Sequence, residues 1–351
     1  MKIIETTPAC KYFNICGGCS LQHIENHGEY KFSLVEAALK QISFDGALHP
    51  IQQVSQRSRR RVNFTVEHNR LKFHQFHSKE LVTIDECLLL EDPLNLLIKP
   101  INKLLTKLKN IEKVTLTNSD TGIEIIFSAK IRNTLEQDLV LTEFSQENNI
   151  ARIAWQTGRN LPYALLEFKS VQLILDQIRV DLPINSFLQV SKESNSLIVD
   201  VILKHLDKDK QIIELFCGCG SFTIPMATKG KIFAVEGNAA AVEALNKSAQ
   251  NNNLPIKAMV QDLFHRAVES YVINDYSQVV INPPRNGATP QIKQIAQAKK
   301  VKKVILVSCS LENLIRDAKM LLNSGFKLTD IYPIDQFLYS PHLELIGIFK
   351  K

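Results

Sequence analysis

The sequence is short of everything that would carry it out of a reducing, aqueous compartment. No apolar run approaches the roughly 20 residues that a membrane-spanning helix needs, and the mean hydropathy is −0.06. The amino-terminal MKIIETTPACKYF lacks the apolar core of a secretory signal. The seven cysteines are odd in number and come without such a signal. A disulfide framework is therefore not expected, and the thiols read as kept for a metal or a reaction in the cytoplasm. There is no internal repeat and no low-complexity tract. Hydrophobic residues at 45% and charged residues at 22% exclude a wholly disordered or collagen-like chain. At 351 residues the chain is too long for one small core, and two or three domains are expected at roughly 100–200 residues each.

The net charge of +6 is local. Residues 51–79 hold seven basic side chains (Arg57, Arg59, Arg60, Arg61, Arg70, Lys72, Lys79) against one acid, Glu67, so this strip alone accounts for the excess. His68, His74 and His77 are interleaved with Phe64, Phe73 and Phe76. Positive charge with aromatic rings between suits a polyanion that exposes bases for stacking. A solvated strand edge kept soluble by charge would have the same composition.

Residues 1–30 are rich in Cys, Gly and His and poor in apolar period, a loop that something other than a hydrophobic core must hold. Tyr30 to Gln41, with Phe32, Val35, Leu39 and Ile42 at helical spacing, predicts a helix. Short alternating stretches follow (RRRVNFTVE, RLKFHQFH, KVTLTNSD, GIEIIFSAK, ARIAWQTG, SVQLILDQIRVDL) and predict a mostly antiparallel sheet, with an amphipathic helix from Pro93 to Lys109. From Gln211 onward, apolar strands alternate with helices: QIIELF, KIFAVE, IKAMVQD, QVVINPP and KKVILVSC, then FKLTDIYPI and LELIGIFK. That pattern means βαβ units and a parallel sheet covered on both faces. We expect an α/β chain of three parts: a cysteine-rich region and helix (1–48), a central β-rich domain (49–180) and a doubly wound, Rossmann-like domain (181–351).

In doubly wound sheets ligands sit beyond the carboxyl ends of the strands, and the informative residues follow the strands here. After QIIEL comes Phe216-Cys217-Gly218-Cys219-Gly220-Ser221, a tight turn whose glycines let the backbone approach a ligand. The next strand ends at Glu236, where a carboxylate can take ribose hydroxyls, the third in Gln261-Asp262 and the fourth in Asn282-Pro283-Pro284-Arg285. Each acid alone reads as a helix cap or a solvated loop residue. In this order they resemble the class I S-adenosylmethionine-dependent methyltransferase fold. A dehydrogenase is disfavoured because the third glycine of G-x-G-x-x-G/A is missing. The fifth strand ends in Val307-Ser308-Cys309-Ser310, and the last apolar strand opens His342-Leu343-Glu344. A Cys after an apolar run is usually a small buried hydrophobe, but a carboxylate in an apolar strand is costly unless partnered or functional. A thiolate and a carboxylate at one sheet end make a nucleophile and a base.

LFCGCGSFTIPMA, VEGN, INPPR, VSCSLENLIRD and HLEL, preceded by Phe187-Leu188-Gln189, together resemble the RNA uracil-C5 methyltransferases. Cys10-x5-Cys16-Gly17-Gly18-Cys19-Ser20-Leu21-Gln22-His23, with Cys87 in DECLLL, resembles the iron–sulfur site of the rRNA-modifying members. The likeness spans nearly the whole chain. It implies that Cys309 adds to carbon 6 of a flipped uracil and that Glu344 then removes the proton from carbon 5. It also implies S-adenosylmethionine contacts from Gln189, Phe216, Gly218, Gly220, Ser221, Glu236, Asp262 and Asn282, the last standing where many members have Asp. Arg285 is expected to meet a phosphate, and His342 to sit beside Glu344 and tune it or to serve packing.

Three cysteines within ten residues, joined by Cys87, are a metal signal. One x2 and one x5 spacing leave zinc and iron–sulfur both open, and the resemblance favours a [4Fe–4S] cluster that staples the loop. Cys217 and Cys219 read as packing residues. Only nine residues precede Cys10, where many members carry an RNA-binding β-barrel. The expectation is that this barrel is absent and that RNA grip falls on Arg57, Arg59, Arg60, Arg61 and the rest of the central sheet. The retained cysteines favour 23S rRNA over tRNA. A cytosine-C5 enzyme would carry Cys after the fourth-strand proline, and an amino-directed enzyme an aromatic residue; Arg285 stands there instead. An inactive, metal-containing RNA-binding protein is the reading from another class.

Overall fold

The computed structural model describes residues 2–351. Helix α1 (His27–Leu39) follows the cysteine loop, and its apolar face does not stay with that loop. Val35, Ala38 and Leu39 are buried in the same core as Ile331, Leu345 and Phe349 from the other end of the chain. Strands β1 (Ala47–Leu48) and β2 (Gln52–Gln53) then pair in parallel with Asp330–Ile331 and Ile334–Asp335. Gly46 lies against the carbonyl oxygen of Thr329, where a Cβ would collide. Residues 27–53 are thus packed on the carboxyl-terminal domain, because a loop so poor in apolar side chains offers the helix no core of its own.

The central domain comprises β3 (Arg61–Glu67), β4 (Arg70–His74), β5 (Leu81–Thr83), α2 (Asp92–Leu105), β6 (Ile111–Asn118), β7 (Ile123–Ala129), α3 (Leu135–Glu147), β8 (Ile150–Thr157) and β9 (Tyr163–Glu167). Its sheet runs β5-β4-β3-β6-β7-β8-β9. Neighbours are antiparallel except β7 and β8, which are parallel because α3 crosses between them. Helix α2 buries Leu94, Leu97, Ile98, Ile101, Leu104 and Leu105 against Phe64, Val114 and Leu116 of the sheet. Helix α3 and strand β9 add to the elements read from the sequence. Leu135 and Leu139 of α3 are exposed, so its apolar residues make no continuous stripe, and it starts on a capping box between Thr134 and Gln137.

The hairpin β10 (Gln172–Leu175) and β11 (Ile178–Asp181) packs Leu173, Leu175 and Val180 into the next core, beside Ile198 and Ile202 of α4 (Lys192–His205). The change of domain therefore falls before this hairpin rather than at residue 180. The remaining elements are β12 (Ile212–Leu215), α5 (Thr223–Met226), β13 (Ile232–Glu236), α6 (Ala239–Asn251), β14 (Ile256–Val260), α7 (Ser270–Ile273), β15 (Gln278–Ile281), α8 (Thr289–Gln297), β16 (Lys303–Ser308), α9 (Leu311–Asn323), β17 (Lys327–Asp335) and β18 (Glu344–Lys350). The sheet order is β14-β13-β12-β15-β16-β18-β17-β1, with β12 to β16 parallel and β18 inserted antiparallel between β16 and β17. Strands β12, β15 and β16 are buried along their whole length, as helices on both faces require. This is a Rossmann-like sheet whose order reverses at β12, which opens a crevice beyond the carboxyl ends of β12 and β15. Among the described residues no helix is long and apolar enough to cross a membrane.

One buried ion pair ties α1 to this sheet. Lys31 and Asp335 have wholly buried side chains, and Lys31 Nζ donates to Asp335 Oδ1 and, at 3.0 Å, to the carbonyl of Phe337. Burial lowers the Lys31 pKa, against the pull of Asp335. Lys31→Met is expected to cost about 3–5 kcal/mol in urea unfolding, because it strands a buried carboxylate. Adding Asp335→Leu should recover most of that loss.

Candidate active site

The cofactor end is built where β12 runs out. Phe216, Gly218 and Gly220 have positive φ (64°, 55° and 92°), so the chain turns sharply. The two glycines are needed for different reasons. A Cβ on Gly220 would strike Leu245 Cδ1 at 2.6 Å, whereas one on Gly218 would meet nothing within 4 Å and project into open space. Glu236, at the end of β13, accepts the Gly218 N–H at 3.0 Å and the Asn238 N–H at 2.9 Å, which locks the turn to the neighbouring strand. Gln189, Phe216, Gly218, Glu236 and Asn282 line one cavity of about 670 Å³, and Arg285, Cys309 and Glu344 line its other end.

Three residues expected at the cofactor lie outside that lining. Gly220 and Ser221 belong to the turn behind it. Asp262 is engaged locally: its carboxylate accepts the N–H groups of Phe264 and His265 and pairs with His265 Nδ1 at 2.8 Å. Phe264 lines the cavity in its place, its ring 5.6 Å from that of Phe216.

At the reacting end the register of the sheet does the work. Strands β16 and β18 pair antiparallel up to Ser308 opposite Leu345. The next pair in that register is Cys309 and Glu344, whose Cα atoms would lie about 5 Å apart. Burial foremost, and then the charge of Glu344, push the Cys309 thiol up, while Arg285 pulls it down by charge and hydrogen bonding. Glu344 is 3% exposed, and burial raises its carboxyl to about 8 against the opposing effects of Gln336 and Arg285. Gln336 Nε2 donates to Glu344 Oε2. Sequence reasoning passed over Gln336, although its place two residues after Pro-Ile and eight before Glu344 puts it at the same sheet end. His342 does not reach Glu344; it lines an adjoining cavity of about 250 Å³ with Leu34, Pro341 and Cys309. A thiol, a guanidinium and a carboxyl raised to about 8 thus line one cavity that also meets the glycine turn.

A raised carboxyl has a sign for stability. The folded state favours the neutral form, so stability falls as pH rises from the ordinary 4.5 towards about 8. Glu344→Gln, isosteric with the neutral acid, should raise Tm at pH 9 and leave it unchanged near pH 4, as differential scanning calorimetry can check.

A second cavity, of about 610 Å³, is lined by Cys10, Cys16, Cys19 and Cys87 with Arg59 and Phe187. All four thiols are free. The loop is docked on β4: Cys16 bridges to Gln75, and Gly17 sits so close that a Cβ would meet the Gln75 carbonyl oxygen at 3.1 Å. Burial, and after it the neighbouring thiols, raise Cys16, Cys19 (to about 11) and Cys87. No three His, Cys, Asp or Glu among the described residues converge on a point where one metal ion would be held. Neither the [4Fe–4S] cluster nor the zinc alternative is therefore shown by the geometry of these residues.

The arginine run is not the phosphate grip expected of it. Arg60 is 1% exposed and donates through Nε to the carbonyl of Gln189 at 3.2 Å. Arg61 donates to the Ser186 carbonyl at 2.5 Å and to Asn185 Oδ1. Arg59 donates to the Arg61 carbonyl at 3.1 Å and borders the cysteine cavity. Only Arg57 is exposed, paired with Asp92 at 2.7 Å. The run crosses between the two domains, and its guanidiniums satisfy carbonyls there. The solvent-facing part of the basic strip is the β4 region: Arg70, His74, Phe76, His77 and Lys79. Phe187, 71% exposed, borders both cavities.

The tRNA (Uracil-5-)-methyltransferase family matches residues 52–351. An uncharacterized RNA methyltransferase of Brucella melitensis is 30% identical over 98% of this chain and 84% of its own length. A 23S rRNA (uracil(1939)-C(5))-methyltransferase of Mannheimia succiniciproducens is 28% identical over 100% of this chain and 84% of its own. The crystal structure of Pyrococcus abyssi tRNA (uracil-54, C5)-methyltransferase in complex with S-adenosyl-L-homocysteine superposes with a TM-score of 0.76 at 21% identity, covering 95% of this chain and 84% of that one.

Proposed function

Because the chain belongs to the tRNA (uracil-5-)-methyltransferase family and is thus an S-adenosylmethionine-dependent RNA uracil-C5 methyltransferase, we propose that it modifies a uridine of 23S rRNA through a covalent Cys309 adduct. The observation that carries the mechanism is the meeting of Cys309 and Glu344 on adjacent strands of one cavity. Carbon 5 of uracil is a poor nucleophile. The Cys309 thiolate adds to carbon 6, and the electron pair moves through carbon 5 onto the carbon 4 oxygen as an enolate. The bound cofactor supplies an electrophilic methyl group, which carbon 5 takes as S-adenosylhomocysteine leaves. Glu344 accepts the proton of carbon 5, the double bond re-forms, and the thiolate departs. Arg285 beside the thiol favours its ionised form. The rRNA assignment is supported by whole-length similarity to the 23S enzyme. The exposed basic and aromatic residues of the β4 region and Phe187 suit single-stranded RNA.

Transcripts of 23S rRNA and of tRNA, incubated with methyl-labelled cofactor and mapped by mass spectrometry, should show 5-methyluridine in the 23S transcript. Label in tRNA alone would overturn the target, and label without 5-methyluridine the chemistry. Cys309→Ala should abolish the covalent complex with 5-fluorouridine RNA. Glu344→Gln should slow turnover by about 10²–10⁴-fold while the methylated adduct accumulates. The wild-type rate should rise with pH as Glu344 ionises, through about 8.

The four thiols line one cavity, and their pattern resembles the iron–sulfur site of the rRNA-modifying members, which supports a [4Fe–4S] cluster as the proposal. Cys10, Cys16, Cys19 and Cys87 would hold it, and it would supply folding energy to the loop, since methyl transfer has no redox step. Protein purified without oxygen should contain iron and acid-labile sulfide in equal amounts, and Cys87→Ser should lose both. Full retention in that variant would remove Cys87 from the ligand set.

A further inference from the structure

Among the described residues lining the cavity, one buried side-chain polar atom lacks a hydrogen-bond partner. Gln336 is 3% exposed and borders the cavity beside Glu344. Its Nε2 donates to Glu344 Oε2, and its Oε1 is buried with no hydrogen-bond partner among the described residues. An orphaned acceptor in a buried site is costly unless a ligand satisfies it. Nε2 is committed to Glu344, so Oε1 is the amide atom left for whatever occupies the cavity.

Gln336 follows β17, four strands from β12 in the sheet, so it lies roughly 19 Å from the cofactor turn at about 4.8 Å per strand. The occupant it meets is the pyrimidine and not the cofactor. The order of side chains across the sheet is Cys309 after β16, Glu344 opening β18, Gln336 after β17. With Cys309 at carbon 6 and Glu344 at carbon 5, the next position round the ring is the edge formed by carbon 4 and nitrogen 3. Resting on the mechanism above, we infer that Gln336 reads the target base, its Oε1 accepting the N3–H that uracil presents and cytosine lacks. Cytosine would set its N3 lone pair against that oxygen. A site built to take a donor rejects the analogue without it far more strongly than a shape-matched apolar pocket does.

The test uses RNA carrying 5-fluorouridine or 5-fluorocytidine at the mapped uridine and follows formation of the covalent complex. Fluorine on carbon 5 removes the step in which Glu344 takes a proton, so a residue acting only through Glu344 leaves this rate unchanged. Gln336→Leu and the volume-conserving Gln336→Met should slow the 5-fluorouridine adduct by about 10- to 100-fold, the loss expected for one buried hydrogen bond. The 5-fluorocytidine adduct should not slow, so the preference for uracil shrinks. Equal slowing on both bases, or no slowing on 5-fluorouridine, would overturn the inference. Needing no variant, the wild-type enzyme should fail to trap the N3-methylated 5-fluorouridine RNA; trapping at the ordinary rate also overturns it. A wild-type enzyme that forms no adduct with 5-fluorouridine RNA removes the Cys309 mechanism itself, and this inference with it.

Discussion

The site depends on one constraint of the sheet, the reversed insertion of β18 between β16 and β17. In a wholly parallel sheet the last strand would carry its first residue at the amino end, a strand's length from the ligands. Running backwards, β18 starts at the carboxyl end, so Glu344 begins where Cys309 leaves off. Strand β17, antiparallel to β18 and so parallel to β16, ends at that same edge and leaves Gln336 there. A thiol, a carboxyl and an amide thus come from the ends of three strands that are neighbours in the sheet, and the backbone ladder sets their spacing.

The electrostatics follow from that crowding. Cys309 and Glu344 share a buried corner, each disfavours the charge of the other, and Arg285 is the cation beside them. One guanidinium suits one negative charge at a time. In the proposed sequence the demand is also for one at a time. The thiolate is needed first, and its charge passes to the uracil oxygen when the carbon–sulfur bond forms. The carboxylate is needed later, once the sulfur is neutral. A carboxyl raised to about 8 is mostly neutral at pH 7 and half-ionised only near pH 8, which suits a base that must wait for its turn. The expense of burying it is borne by the fold as lost stability at high pH.

The cofactor turn, Glu236, Asn282 and Cys309 were legible because each ends or follows an apolar strand, and doubly wound topology sends strand ends to one crevice; Glu344 was legible as a carboxylate opening an otherwise apolar strand. Asp262 obeyed the same rule and is still engaged locally, since a carboxylate two residues before free N–H groups caps its own turn as readily as it meets a ligand. The arginines misled for a related reason. Charge counts cannot distinguish a guanidinium in solvent from one that crosses a domain junction and satisfies carbonyls, as Arg60 and Arg61 do. Helix α3 escaped because Leu135 and Leu139 face outward and break its apolar period, although its capping box was present in the sequence. Gln336 carried no signal of its own. A neutral amide gains its meaning from the carboxylate it touches, and that contact exists only in three dimensions.

The amino-terminal loop and the reacting end, distant in sequence, are mechanically one unit. The N–H groups of Ser20 and Leu21, which follow Cys19, both donate to the carbonyl of Tyr339, at 2.7 and 2.9 Å. Tyr339 has a φ of 59°, a conformation that a bulky residue adopts only when its surroundings hold it. Lys31 meets the carbonyl of Phe337 from the next helix and grips Asp335 at the end of β17. The turn between Gln336 and Glu344 is therefore clamped from outside by residues 20–31, and those residues have little apolar surface with which to hold themselves. Whatever holds residues 20–31 in place therefore also positions the segment between Gln336 and Glu344 that carries the amide and the carboxylate.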